Sequence, residues 1–457
     1  MNYYNILNDY WKNLTRIYPW HFIGFLVLAM LIPKVYELSN IFWIGHISTD
    51  ALAITEQYEF ISITVEIINE TIPFGILALV ARYYHDINKV IQIVKAGLLI
   101  QIIFSLILAS IVILLPTFFI SSIGTPAEII NATSSYLILK SLALPFEAIG
   151  YLFLIAIKSL QKGKEALILV TISVILNVFL DLFLISDTSV SMHLGIQGVA
   201  IGYVISKVLL MVISTIYFFR LLHLNLVTFL QAKWKDQIYP LFSIGVWTGL
   251  DSLVRNAGYM GLLLVLNNMG IIEFGGYGLA MAVMWTLLIP VLALGEGTSI
   301  VIGNYYGESR FKDIISVIKT SLLFVIIIMI IIALIGLFWW GNLSSFFNIN
   351  PDMVRISVET FTWLIIPYIG FGISTILRSI FIGTGKTRYI FYIACIVNIG
   401  LILPFVALVK CGIISANFTS VMIFYMISFL LDPILAFVWS RKVIHSFNSD
   451  QKTVGEI

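Results

Sequence analysis

Apolar residues occupy this chain in long blocks separated by short polar breaks, and the blocks reach the roughly 20 residues a helix needs to cross a bilayer. They predict spanning helices at 18–44, 51–82, 91–115, 128–158, 165–186 and 196–220, and again at 238–267, 274–305, 314–339, 352–382, 388–410 and 416–440. Several blocks exceed the minimum. Tilt, extension past the bilayer, or kinks at Pro33, Pro73, Pro145, Pro290 and Pro367 are therefore expected. Basic residues mark alternate breaks: Lys12 and Arg16, Arg82 and Lys89, Lys162 and Lys164, Lys233 and Lys235, Arg310 and Lys312, Lys386 and Arg388, Arg441 and Lys442. The positive-inside rule places both termini and the 221–237 linker in the cytoplasm, with these charges acting as topological anchors.

The halves repeat. Tyr83-Tyr84 followed by Ile91–Leu99 (IQIVKAGLL) matches Tyr305-Tyr306 followed by Ile315–Leu323 (ISVIKTSLL). At nearly the same offset Leu144-Pro145-Phe146 pairs with Ile366-Pro367-Tyr368, Gly163-Lys164 with Gly385-Lys386, and Leu176-Asn177-Val178 with Val397-Asn398-Ile399. Six spans per half make the repeats parallel, an arrangement of transporters that place their site between the repeats. The expected fold is all-α and polytopic, with twelve transmembrane helices in two six-helix bundles related by a pseudo-twofold axis along the membrane normal. Its parts are an N-lobe (1–220), a cytoplasmic linker (221–237), a C-lobe (238–445) and a cytoplasmic tail (446–457).

Composition agrees with the pattern: 60% hydrophobic residues, 11% charged, and a mean hydropathy of +1.01 over 457 residues exclude an ordinary soluble enzyme. A net charge of +2, spread along the chain, leaves no basic patch for nucleic acid. Residues 1–16 lack the apolar core of a cleaved signal peptide, so the first span is expected to anchor the chain in the plasma or inner membrane. Membrane lipid is the expected surrounding and a monomer the expected state. Cys395 and Cys411, if carried on one helix, lie roughly 24 Å apart, so no disulfide framework is expected. His21, His46, His85, His193, His223 and His445 stand apart from one another with no HExxH spacing, so neither a metal site nor an intramembrane enzyme is expected.

The candidate chemistry lies in intramembrane acids. Glu56, Glu59, Glu66 and Glu70 fall, on a continuous helix, within an arc of roughly 80° and climb roughly 21 Å. Ionised carboxylates are costly against lipid, so this stripe is expected to face a cavity, with Glu66 near the midplane and Glu147 adding a further acid. Lys34, one turn from Glu37, can neutralise one of these acids but not all of them. In the second half Asp251 and Arg255, four apart, are expected to pair with each other. Glu296, between two glycines, receives no role. Tyr58, Trp247, Tyr277 and Trp285 offer cation–π surfaces, although most aromatics in a bilayer protein pack or anchor.

Asn40–Ile54 (NIFWIGHISTDALAI), Asn177–Ile185 (NVFLDLFLI), Gly195–Ser206 (GIQGVAIGYVIS) and Leu294–Gly307 (LGEGTSIVIGNYYG), in this order and spacing, resemble the multidrug and toxic compound extrusion (MATE) transporters. That superfamily also contains flippases for lipid-linked oligosaccharides and polysaccharide precursors. The resemblance implies cation-driven export of small organic cations through a cavity between two bundles that opens alternately to either side. It implies no bound cofactor, a coupling proton or, as second choice, sodium, and a site on the fifth helix built by Asn177 and Asp181. A carboxyl in an apolar bundle has its charged form disfavoured, which suits Asp181 to binding and releasing protons. Where relatives often carry Pro after that Asp this chain has Leu182, and Tyr203 stands where many carry Thr. Where relatives often carry a first-helix carboxylate this chain has Asn40, with Glu37 one turn away as the expected substitute. Glu359 has Arg355 four residues before it, and no carboxylate follows until Arg378, so the C-lobe sodium site of some relatives is not expected. The flippase alternative needs cationic groups for phosphate, whereas the expected cavity is acidic.

Overall fold

A computed structural model describes residues 18–454 except 48, 123, 124, 126, 187, 348, 349 and 416, and all its regular elements are helical. In the first half these are α1 (Trp20–Ile47), α2 (Thr49–Glu56), α3 (Glu59–Arg82), α4 (Ile87–Leu114), α5 (Pro116–Ser122), α6 (Ile130–Ser141), α7 (Leu144–Ser159), α8 (Gly163–Leu184) and α9 (Gly195–Leu221). A short α10 (Leu226–Gln231) lies in the linker. The second half holds α11 (Ile238–Asn267), α12 (Ile271–Leu287), α13 (Ile289–Gly307), α14 (Phe311–Phe347), α15 (Pro351–Gly383), α16 (Arg388–Ala394), α17 (Leu403–Lys410) and α18 (Phe418–Val454). A π-helical stretch, Cys395–Ile402, joins α16 to α17.

Every expected span coincides with one helix or with a broken run of helix. Among the described residues nine helices are long and apolar enough to cross a membrane alone, and two bent pairs raise the number to eleven. Those pairs are α6 with α7 (41°) and α12 with α13 (46°). The helix left out is α11, whose middle carries Thr248, Asp251, Ser252, Arg255 and Asn256. The prolines divide by position. Pro145 and Pro290 sit in the first turn of α7 and α13, where proline loses no helical hydrogen bond, so the chain breaks just before them. Pro33, Pro73 and Pro367 lie inside unbroken helices, as does Pro433, which the sequence reading did not single out.

The described residues form two compact units, an N-unit of Gly24–Gly249 and a C-unit of the residues from Leu250 on together with residues 18–23. The division falls inside α11 rather than at the 221–237 linker. Its physical reason is close packing of the first half of α11 on α3: a methyl at Gly245 or Gly249 would overlap Thr71, and Thr248 Oγ1 donates to the Glu70 carbonyl at 2.7 Å. Likewise Trp20 packs edge-on against Phe324, 4.5 Å between centroids, and Ser321 Oγ donates to Tyr18 Oη at 3.0 Å, which ties residues 18–23 to α14.

Each unit is built around the helix that carries the repeated proline motif. In the N-unit α7 is surrounded by α3, α4 and α9 and is buried almost without interruption from Leu152 to Ser159. In the C-unit α15 takes that place among α12, α13, α14 and α18. The linker is fixed to the N-unit by Lys95 of α4, whose buried ammonium donates to the carbonyls of Leu230 (2.5 Å) and Ala232 (2.9 Å).

Candidate functional site

Helix α8 buries one face, Ala166, Val170, Ser173, Asn177, Asp181 and Leu184, and exposes Ile172, Ile175, Phe179 and Phe183 on the other. The helical period thus carries Asn177 and Asp181, one turn apart, to the inside of the N-unit, where they are 9% and 2% exposed. Ser173 Oγ donates to the Ser206 carbonyl at 3.1 Å and holds α8 to α9. Gly202 of α9 lies against the pair, since a Cβ there would stand 3.6 Å from Asn177 Oδ1 and 3.7 Å from Asp181 Oδ1. The partner of Asp181 comes from α1: Tyr36 Oη donates to Asp181 Oδ2 at 2.6 Å. Asn177 Oδ1 and, on α1, Asn40 Oδ1 are buried with no hydrogen-bond partner among the described residues. An acceptor left so costs about 1–3 kcal/mol, which a water, a proton donor or a ligand would recover.

Several expected site residues lie elsewhere. Glu37 does not stand in for a first-helix carboxylate beside Asp181; it is exposed and pairs with Lys34 at 2.8 Å, because it lies about 100° around α1 from Tyr36. Tyr203 sends its hydroxyl to Glu147 Oε2 at 2.9 Å rather than to the Asp181 pair. Glu147 is not an uncompensated acid, for Lys207 bonds its other oxygen at 2.7 Å. Lys207 follows Tyr203 by one turn, a spacing that could have flagged it, since residues four apart share a helix face. A further cation, Lys140, lies over the rings of Tyr58, Tyr136 and Tyr203.

The glutamate stripe is broken. Residues 57 and 58 form a turn between α2 and α3, so Glu56 belongs to a different helix from Glu59, Glu66 and Glu70, and the phase that aligned all four is lost. Gln57 faces sideways there, its Oε1 accepting from Thr125 Oγ1 at 3.0 Å. Glu66 is exposed on the N-unit and Glu70 half-buried, while the side chains of Glu56 and Glu59 lie outside the described residues.

Over residues 26–183 and 248–408 the sequence matches the family MatE. The chain belongs to the MatE family. Among its relatives are the multidrug export protein MepA of Staphylococcus haemolyticus, 24% identical over 382 residues (80% of this chain, 82% of that one), and the probable multidrug resistance protein YoeA of Bacillus subtilis, 22% identical over 452 residues (95% of each). Its fold is that of the Vibrio cholerae MATE transporter VcmN in the bent form, with a TM-score of 0.83 at 17% identity, covering 96% of this chain and 99% of that one. A MOP superfamily transporter from Pyrococcus furiosus superposes with a TM-score of 0.85 at 14% identity, covering 93% of this chain and 95% of that one. The expected all-α, polytopic fold is thus borne out, and the MatE chain is a membrane transporter.

In the MatE chain's C-unit the expected Asp251–Arg255 pair is present, Nη1 to Oδ2 at 3.0 Å. It is one side of a larger network. Arg378 of α15 bridges Asp251 Oδ1 at 3.4 Å and Asp432 Oδ2 of α18 at 2.5 Å, and Ser374 also bonds Asp432. Two carboxylates and two guanidinium groups thereby close a neutral network across α11, α15 and α18. Asp432 escaped the sequence reading because it sits in the last apolar run, beside Pro433, with no charged residue at helical spacing. Arg355 meets Asp352, at 3.9 Å on the surface.

Proposed function

We propose that this MatE transporter is a secondary active antiporter that exports small organic cations in exchange for protons, with sodium the second choice, by alternating access in the plasma or inner membrane with both termini cytoplasmic. The observation that carries the reading is the buried Asp181 carboxylate held by Tyr36 of α1, with the partnerless Asn177 amide oxygen one turn away. An ionised Asp181 can only accept, and it accepts from Tyr36. A protonated Asp181 gains one donor while its other oxygen still accepts, and Asn177 Oδ1 is an acceptor within one helical turn. Proton binding would thus add a hydrogen bond within α8 and weaken the charge-assisted bond from Tyr36 that ties α1 to α8, a local event able to bias one access state over the other. The multidrug export named for MepA and the probable multidrug resistance named for YoeA support export of small organic compounds. The flippase alternative gains no support, since the cations inside the N-unit already meet Glu147 and tyrosine rings.

The test is a proteoliposome assay in which proton and sodium gradients are imposed separately on a panel of cationic dyes. The wild-type chain is expected to move dye with the proton gradient and Asp181→Asn to lose that movement. Proton-driven export by Asp181→Asn would overturn the coupling assignment, and movement of a phospholipid-linked sugar in place of every cation would overturn the substrate class.

A further inference from the structure

Three tyrosine rings of the N-unit surround the Lys140 ammonium, and a second ammonium, Lys207 Nζ, stands 4.8 Å from the Tyr203 centroid at the edge of the group. Lys140 Nζ stands 3.9 Å from the ring centroid of Tyr58, 5.4 Å from that of Tyr136 and 5.0 Å from that of Tyr203, all within the roughly 6 Å over which a ring face attracts a cation. Tyr58 and Tyr136 are buried in an apolar cluster with Ile54, Leu137, Val199 and Ala200, so the rings act where water screens little. Glu147 shares in the gathering: Lys207 and the Tyr203 hydroxyl bond its two oxygens, and the Lys140 charge acts on it as well. A cage of ring faces is a form of site that selects organic ammonium groups.

We propose that Tyr58, Tyr136 and Tyr203 form a binding subsite for alkylammonium cations, and that the Lys140 ammonium is its tethered resident, displaced when such a cation enters. This rests on the organic-cation reading above and names where in the N-unit the cationic group is held. Two walls are firm: Tyr136 lies within α6 and Tyr203 within α9. The other two parts sit at helix breaks. Tyr58 occupies the turn between α2 and α3, and Lys140 lies in the last turn of α6, just before the 41° bend into α7. Discontinuous helices of this kind line binding sites in transporters, where the interrupted backbone can move. The lysine has a flexible four-carbon stem and a strongly hydrated head, so returning it to water recovers solvation that a quaternary ammonium never had. Exchange of Lys140 for a substrate cation is therefore favoured for weakly hydrated, alkylated ammonium groups over primary amines and inorganic ions.

Calorimetric titration of benzyltrimethylammonium into the purified full chain tests this. Lys140→Met, which empties the cage with an unbranched apolar side chain, is expected to bind about tenfold more tightly than wild type. Tyr58→Leu added to Lys140→Met is expected to remove that gain, whereas Tyr58→Phe, which keeps the ring face, retains it. Lys140→Arg keeps the cage filled and is expected to bind no more tightly than wild type. Lys140→Gln serves as a second emptied variant should the Met variant fail to fold. Affinity in the folded emptied variants equal to or weaker than wild type overturns the proposal, as does a gain that survives Tyr58→Leu. If wild type exports cationic dyes while Lys140→Met gains no affinity, the cage falls and the export reading stands. Tighter binding by Lys140→Met in a chain that exports no cation keeps the cage and removes the export reading.

Discussion

Tyr36 donates its hydroxyl hydrogen to Asp181 across the α1–α8 contact, and this single bond links the buried acid to a second helix. A hydrogen bond to a charged group contributes about 1.5–3 kcal/mol, so Tyr36→Phe is expected to lower unfolding stability in detergent by that order and to reduce proton-driven transport. Because Tyr36 is argued to act through Asp181, the double variant Tyr36→Phe with Asp181→Asn should be no worse in transport than Asp181→Asn alone. Additive losses in that cycle would separate the two residues. Asn177 and Asp181 were legible in the sequence as a polar pair one turn apart in an apolar run. Tyr36 was not, since a tyrosine in a membrane helix is ordinary and its hydroxyl partner lies 145 positions away in the chain. Lys140, in the last turn of α6, was missed for a similar reason, since a lysine near a helix end looks like an anchor until the ring beside it is known, and the acid that answers mid-helix Lys207 lies 60 positions away.

At the scale of elements, glycine and lysine decide how helices are joined. Gly245 lets α11 pass against the Thr71 carbonyl of α3, and Gly245→Ala forces overlap with backbone that cannot swing away. That substitution is expected to cost about 1–3 kcal/mol, read as a lower midpoint of thermal unfolding, and to disturb the bond from Thr248 to the Glu70 carbonyl. Lys95 fixes the linker by its two carbonyl contacts, and Lys95→Met leaves those acceptors without their donor. Trypsin should then cut faster at Lys233 and Lys235 in vesicles exposing the linker, whereas an unchanged rate would deny Lys95 that role. The glutamate stripe failed at this scale. Periodicity assumes an unbroken helix, and nothing in the apolar run around Gln57 and Tyr58 announces a turn, because the side chains that accommodate it, such as Thr125, are distant in sequence.

For the whole molecule the repeat is symmetric in sequence and unequal in chemistry. The N-unit keeps a buried acid with a tyrosine partner, while the C-unit's buried acids are answered by arginines. Removing one member of such a network leaves uncompensated charge, so Arg378→Leu is expected to cost about 3–5 kcal/mol, measured by thermal unfolding. Replacing Asp251 and Asp432 with Asn in the same chain should restore part of that loss; no restoration would argue that packing of Arg378, rather than charge, is what matters. Long apolar helices, two repeated halves and the membrane class follow from the sequence alone, since lipid demands long apolar helices and a repeat is written directly in residue order, whereas the count of twelve spans meets eleven at most among the described residues. The α6–α7 break was half visible in Pro145, whose counterpart Pro367 sits in an unbroken α15. Which acids are neutralised, which tyrosine holds Asp181, and that three rings converge on Lys140 were decided only by tertiary structure. Each depends on side chains brought together from helices far apart in sequence, and a hydrophobic pattern records which face of a helix is buried but not what it meets there.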